Sequence, residues 1–209
     1  MVSQSSKSDI RRTRLMAAGR TAFGQNGLYA TRIEEITELA GVAKGTFYLY
    51  FEGKEDLIRA IAGEAFRQLG DACERAGAPA ATWQDRVAAL SRAHLQFFAE
   101  DPASMRILHQ LRGMLTFELP EWQPLRATLQ SHVDALATLL GASPAPELLN
   151  RETALGLARV LFGAVSGSVS VWIACEGPDS PVPQEALISA LLAFATAFIG
   201  GHRSEPEGP

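Results

Sequence analysis

Lys44, Thr46, Tyr48, Leu49, Tyr50 and Lys54 crowd into eleven positions, residues 44–54. An ammonium neutralises a phosphate, a phenol hydroxyl bonds its oxygens, and a threonine or leucine can meet the methyl group of thymine. That set suits contact with a DNA groove better than covalent chemistry. Phe47 and Phe51 are four apart and share a helical face, so they would anchor the segment inward. The two tyrosines and Leu49 are then left on or near the outside, an odd surface unless it meets a partner. Gly45 would let the backbone come close to a groove.

Two short helices must position these groups. Thr31 and Glu34 have capping-box spacing, which predicts a helix start there. Ile33, Ile36, Leu39 and Ala40 repeat at helical spacing and give that helix a buried face. Gly41 can take the positive φ of a helix C-terminus. Val42 turns back into the core, and a second short helix begins near Ala43 or Lys44. Helix, glycine turn and helix over about 32–51 is the layout of a helix-turn-helix, whose second helix enters the major groove. Before it, Ser8 to Gln25 carries Ile10, Leu15, Ala18, Ala22 and Phe23 on one stripe, which predicts a first helix closed by Asn26-Gly27. Arg11, Arg12, Arg14 and Arg20 fall on its other face, available to a phosphate backbone. After it, Lys54-Glu55-Asp56-Leu57 opens a long helix with acidic groups at its positive end.

The run Ala40-Gly-Val-Ala-Lys-Gly-Thr-Phe-Tyr-Leu-Tyr-Phe51, with Lys54-Glu55-Asp56-Leu57 in register, resembles the DNA-binding domain of the TetR family of bacterial regulators. The resemblance implies base or groove contact by Lys44, Gly45, Thr46 and Leu49. It implies phosphate contact by Thr31, Tyr48, Tyr50 and Lys54. Ala43 departs from the family pattern, where a serine or threonine often caps the recognition helix; a lost cap costs about 1 kcal/mol.

The rest of the chain reads as helices. Lys54 to Ala76 is followed by Trp83 to Glu100, capped near Thr82. Asp101-Pro102 then starts a further helix with Met105, Leu108, Leu111 and Leu115 at helical spacing. Residues 117–124 are irregular, and Leu125 to Leu140 is helical up to Gly141. Two final helices span Glu147 to Glu176 and Val182 to Gly200. The first carries Gly156, Gly163, Ala164, Ser166, Gly167 and Ser168, small residues that permit close approach of another helix. The second is apolar around much of its circumference and needs burial on more than one side. The expected architecture is all-α, about nine helices: a three-helix head over residues 8–53 and a body over 54–201, with 1–7 and 202–209 as mobile tails. In the TetR family the last two helices form the dimer interface, and this pair looks like it. A homodimer can read both halves of a near-palindromic operator.

Aromatic and sulfur-bearing side chains gather after Phe97, interspersed with a few polar groups, the mixture of a small-molecule pocket. By resemblance, His94, Phe98, Met105, His109, Arg112, Phe117, Trp122, Phe162 and Ser166 would line an effector site. Arg112 in apolar company suggests an anionic head on an apolar ligand, such as an acyl thioester or an aromatic acid.

Composition agrees. Hydrophobic residues make up 47% and charged residues 20% of the 209, enough for a sizeable core. The net charge of −4 counts mildly against a nucleic-acid binder, but the basic residues gather at the N-terminus, and a local patch matters more than the sum. Cys73 and Cys175 match no metal or redox spacing and read as buried free thiols of a reducing, cytoplasmic setting. No signal peptide is visible at Met1 to Asp9, and the apolar runs 160–175 and 186–201 are short for a membrane span. His94 and His109 lie fifteen apart, which is not a metal-ligand pair, and no nucleotide-binding or catalytic motif is present. No catalytic residue, metal or cofactor is expected. The reading is a DNA-binding regulator, a repressor released by a small, largely apolar ligand. The alternative is a ligand-independent DNA-binding or protein-adaptor scaffold of the same fold.

Overall fold

The computed structural model describes residues 4–115, 119–142, 150–177 and 183–201, apart from the side chains of 4–7, 114, 173, 200 and 201. The expected tail 202–209 lies outside the described residues, as do 1–3, Phe117 and 143–149; residues 4–7, expected in the mobile N-terminal tail, belong instead to the first helix. Among the described residues there are nine α-helices, one 3-10 turn and no strand. The helices are α1 (Gln4–Asn26), α2 (Ile33–Ala40), α3 (Lys44–Phe47), α4 (Lys54–Gly77), α5 (Trp83–Glu100), α6 (Pro102–Leu115), α7 (Gln123–Gly141), α8 (Arg151–Glu176) and α9 (Gln184–Gly201). The all-α architecture is as the sequence predicts.

The chain divides into two compact units. One takes in the chain to Ala65 together with Asp101–Arg126; the other takes Phe66–Glu100 and the chain from Ala127 onward. The helix α4 contributes its first half to one and its second half to the other.

In the first unit, α1 packs on α2 and on α6. Leu15, Phe23, Leu28, Ile36, Phe47, Phe51 and Leu57 are buried and form its core. Gly24 lies so close to Ala103 that an added Cβ would sit 2.8 Å from the alanine's Cβ, so α1 and α6 touch at near-backbone distance. Arg20 pairs with Asp101 at 2.9 Å. The amide of Leu28 donates to Gln110 Oε1 at 2.9 Å, which ties the end of α1 to the middle of α6. Asp101 caps α6 as its sequence predicts, accepting from the Ser104 amide at 3.1 Å. Arg20 is thus committed to the fold rather than left on the phosphate-facing side. Arg12 lies over the Phe51 ring, 5.4 Å from its centroid.

In the second unit, α5 packs against α8 and α9, which pack on each other. Thr82 and Asp85 form a capping box at the start of α5: the Asp85 amide donates to Thr82 Oγ1, and the Thr82 amide to Asp85 Oδ2. Asn150 caps α8 through the Thr153 amide at 2.8 Å. Gly156 allows α9 its approach, since a Cβ there would meet Phe198 at 3.1 Å. By length and hydropathy α8 would pass for a membrane span. Yet Ala154, Leu157, Ala158, Leu161, Val165 and Val169 are buried along one side of it, as in a core helix of a helical bundle.

Several local expectations need correction, among them Ile10 and Leu39, expected on buried helix faces and found exposed. The helix α1 already includes Gln4, so Ser8 lies inside it and does not cap its start. The capping box at Thr31 and Glu34 does not form; Arg32 holds the N-cap position with no side-chain cap bond. Cys175 is exposed, whereas Cys73 is buried as expected; burial pushes the Cys73 thiol up to about 12.

Candidate nucleic-acid interface

The turn between α2 and α3 is built around Gly41, at φ 63° and ψ 43°. Its amide donates to Glu38 O at 3.0 Å, and the Val42 amide donates to Thr37 O at 3.0 Å. These two bonds satisfy the last carbonyls of α2 and reverse the chain. The helix α3 is one turn long. Beyond Phe47 the backbone continues as turns, with the amides of Tyr50 and Phe51 both donating to Phe47 O at 3.0 Å. Phe47 and Phe51 are buried with ring centroids 5.7 Å apart, the inward anchor expected from their spacing.

That anchor fixes what faces outward. Lys44 and Gly45 are exposed, Thr46 and Tyr50 half-buried, Tyr48 52% exposed and Leu49 76% exposed. An added Cβ at Gly45 would meet nothing within 4 Å, so this glycine leaves open space for a docking groove. Lys54 is used partly inside the protein. Its ammonium donates to Tyr29 O at 3.1 Å and Thr31 O at 3.2 Å, holding the start of α4 to the α1–α2 connection.

Thr31 is the one member of the expected set that the structure takes off the surface. It is 1% exposed, and its hydroxyl donates to Gly27 O at 2.8 Å and Ala22 O at 3.2 Å. The hydroxyl closes the α1–α2 connection from within. Its neighbour Arg32 is exposed instead, beside Tyr29, which is 78% exposed. Sequence reasoning passed over both; the signal was an arginine and an aromatic flanking a polar residue in a short connection. Lys44 pairs with Glu34 across the α2–α3 angle. The bond from Lys44 is the largest cause holding the Glu34 carboxyl below its usual range, and the same bond holds the Lys44 ammonium above its own.

The nine expected effector residues fall in different places. His94, Phe98, Phe162 and Ser166 belong to the second unit; Met105, His109, Arg112 and Trp122 belong to the first. Phe117 lies outside the described residues. Phe98, Met105 and Trp122 are core residues, each 2% exposed, while His109 and Arg112 are on the surface of α6. Ser166 donates to Phe162 O at 2.7 Å within α8. The structure brings together His94 and Phe162, with ring centroids 6.1 Å apart, and adds two groups not foreseen, His132 and Phe66.

His94 and His132 make a buried polar pair inside this aromatic cluster. His94 Nδ1 lies 2.8 Å from Leu90 O and must carry a proton to bond it. That leaves His94 Nε2 as the acceptor for His132 Nε2–H, 3.3 Å away. Both imidazoles are neutral in this arrangement. Burial lowers His94 to about 4, and burial together with His94 lowers His132 to about 3.

A surface of exposed polar and aromatic side chains on a short helix, presented by a glycine turn and held by a buried aromatic pair, defines a helix-turn-helix DNA-binding regulator. Residues 15–61 match the family model described as bacterial regulatory proteins, tetR family. The DNA-binding domain of that family is thus present at residues 15–61, and relatives that match more of the chain are transcriptional regulators. It is 26% identical over 152 residues to the fatty acid metabolism regulator protein of Bacillus subtilis, covering 72% of this chain and 77% of that one. Its fold is similar to the crystal structure of FadR from Bacillus subtilis in complex with stearoyl-CoA: TM-score 0.73, 22% identity, 89% of this chain and 98% of that one. It is also similar to AibR in complex with isovaleryl coenzyme A and operator DNA: TM-score 0.66, 17% identity, 88% and 97% covered.

Proposed function

We propose that this regulator is a cytoplasmic repressor that binds a near-palindromic operator as a homodimer and leaves it when an acyl-CoA thioester binds. The observation that carries the DNA reading is the exposed set Lys44, Gly45, Tyr48 and Leu49 held outward by buried Phe47 and Phe51. Lys44, Gly45, Thr46 and Leu49 would face the groove; Tyr48, Tyr50 and Lys54 would border the phosphate backbone.

The dimer reading rests on α8 and α9. Gly163, Ala164, Gly167, Ser168 and Val171 line an open groove of about 490 Å³ on α8. On α9 only Ile188, Ala195 and Ile199 are buried among the residues with described burial, while Leu187, Leu191, Leu192, Phe194 and Phe198 stay half-buried or exposed. A second copy of the same pair would cover both. The effector reading rests on the two similar proteins whose structures hold acyl-CoA thioesters. The aromatic cluster of Phe66, His94, His132 and Phe162 is the proposed seat of the acyl chain, with Phe98 and Ser166 close by on the same two helices as His94 and Phe162.

The test is binding of the purified protein to duplexes from its own upstream region across a salt titration, without and with stearoyl-CoA. Tight, salt-sensitive binding to one duplex is expected, with release on adding the thioester. Lys44→Ala should weaken binding by about fivefold or more, given ~1–3 kcal/mol for a contact of this kind, and Tyr48→Phe by less. Both variants should melt like the parent, since neither side chain is in the core. Unchanged binding by both would mean that α3 is not the reading helix.

A further inference from the structure

Tyr29, Arg32, Lys44 and Lys54 come together with Glu34 around one open depression of about 540 Å³. Three of these groups are cations supplied by three different elements: the N-cap of α2, the first residue of α3 and the first residue of α4. The depression already receives one anion, the Glu34 carboxylate, which pairs with Lys44. Both partners of that pair are more than half exposed, so it is a weak, water-washed contact that a stronger anion can replace. Lys54 is fixed by its two carbonyl bonds and contributes its charge from a constant position. Arg32 has a side chain exposed to solvent and no capping duty.

We propose that this depression seats one backbone phosphate of bound DNA, and that Glu34 is a stand-in anion that the phosphate displaces from Lys44. The proposal rests on the DNA-binding reading and moves Lys44 from base edge to backbone. Arg32 becomes a phosphate contact, and Tyr29 a neighbouring hydroxyl for the same oxygens. Glu34 then acts as a brake on indiscriminate binding. Any duplex must first dislodge the carboxylate and accept its repulsion, so contacts elsewhere on the surface decide which duplex succeeds.

The experiment compares the full-length protein with Glu34→Gln, Arg32→Ala and Glu38→Gln on two duplexes, the upstream fragment and a scrambled fragment of equal length. Glu38 is also exposed on α2 but does not line the depression, so it controls for a general loss of negative charge. Glu34→Gln should tighten both duplexes several-fold and the scrambled one more. Its plot of log affinity against log salt should steepen by about 0.9, the value for one phosphate neutralised. Arg32→Ala should weaken both duplexes by the same several-fold factor and make the slope shallower by about 0.9. Glu38→Gln should leave the slope unchanged. If Glu34→Gln and Glu38→Gln behave alike, or if Arg32→Ala leaves the slope in place, the seat is overturned while DNA binding stands. If the unaltered protein binds neither duplex, the DNA-binding reading goes down and the seat with it.

Discussion

Gly163→Glu, which places a carboxylate in the proposed dimer interface, should give a well-folded monomer with greatly weakened hold on its proposed operator. Space around this glycine is open within one copy, with nothing within 4 Å of an added Cβ. Replacing a mid-helix glycine also removes a helix penalty of up to about 1 kcal/mol, so the single chain should not suffer. A second copy docked on the groove would instead meet a carboxylate among small apolar groups, with no cation there to receive it. Loss of two-headed engagement should lower operator affinity by about a hundredfold or more, the usual scale of avidity between linked sites. Light scattering after size exclusion gives the mass, a thermal melt checks the fold, and the binding titration gives the affinity. A variant that keeps the mass and affinity of the parent would remove α8 from the interface.

The second large effect is on stability in acid. His94 and His132 have folded-state values below the ordinary 6.5 of histidine, so the unfolded chain takes up more protons as the pH falls. The stability held by neutral burial is therefore complete above about pH 6.5. It declines from there until the folded-state values are passed, near 4 for His94 and near 3 for His132. His94 alone accounts for on the order of 3 kcal/mol across that window, since each pKa unit is worth about 1.4 kcal/mol. Protonating His94 would also set two N–H groups face to face across the Nε2–Nε2 contact. Urea unfolding midpoints measured between pH 7.5 and 4 should fall steeply. The double substitution His94→Leu with His132→Leu should flatten that fall while folding at neutral pH, because both partners of the bond leave together. An equally steep fall in the double variant would assign the effect to carboxylates.

Much of the fold was legible because helix signals are local. The glycine at 41, the phenylalanines at 47 and 51, the Asp101-Pro102 start and the Thr82 cap each act within one turn of chain. Several failures were cases where a partner outside the helix decided. Thr31 has the right spacing for a capping box, yet its hydroxyl finds two carbonyls at the end of α1 first. Arg20 looked like one more surface cation until Asp101, far along the chain, claimed it. His132 gave no sequence signal, because a histidine on an amphipathic helix is unremarkable until another ring is packed against it. On the interface, residue types alone indicated α3 correctly as a surface, but not the pairing of Lys44 with Glu34, which depends on the angle between two helices.

The bolting of α6 to α1 bears on how portable the DNA-reading module is. Its compact unit is assembled from two stretches of chain, one ending at Ala65 and one running from Asp101 to Arg126. A fragment cut after residue 53 would strip Leu28 of the acceptor for its amide, Arg20 of its carboxylate and Gly24 of the surface it was shaped to meet. Grafting this reading head onto another regulator would therefore require transplanting α6 as well. A single crossover between residues 65 and 101 would separate the two stretches from which that unit is assembled.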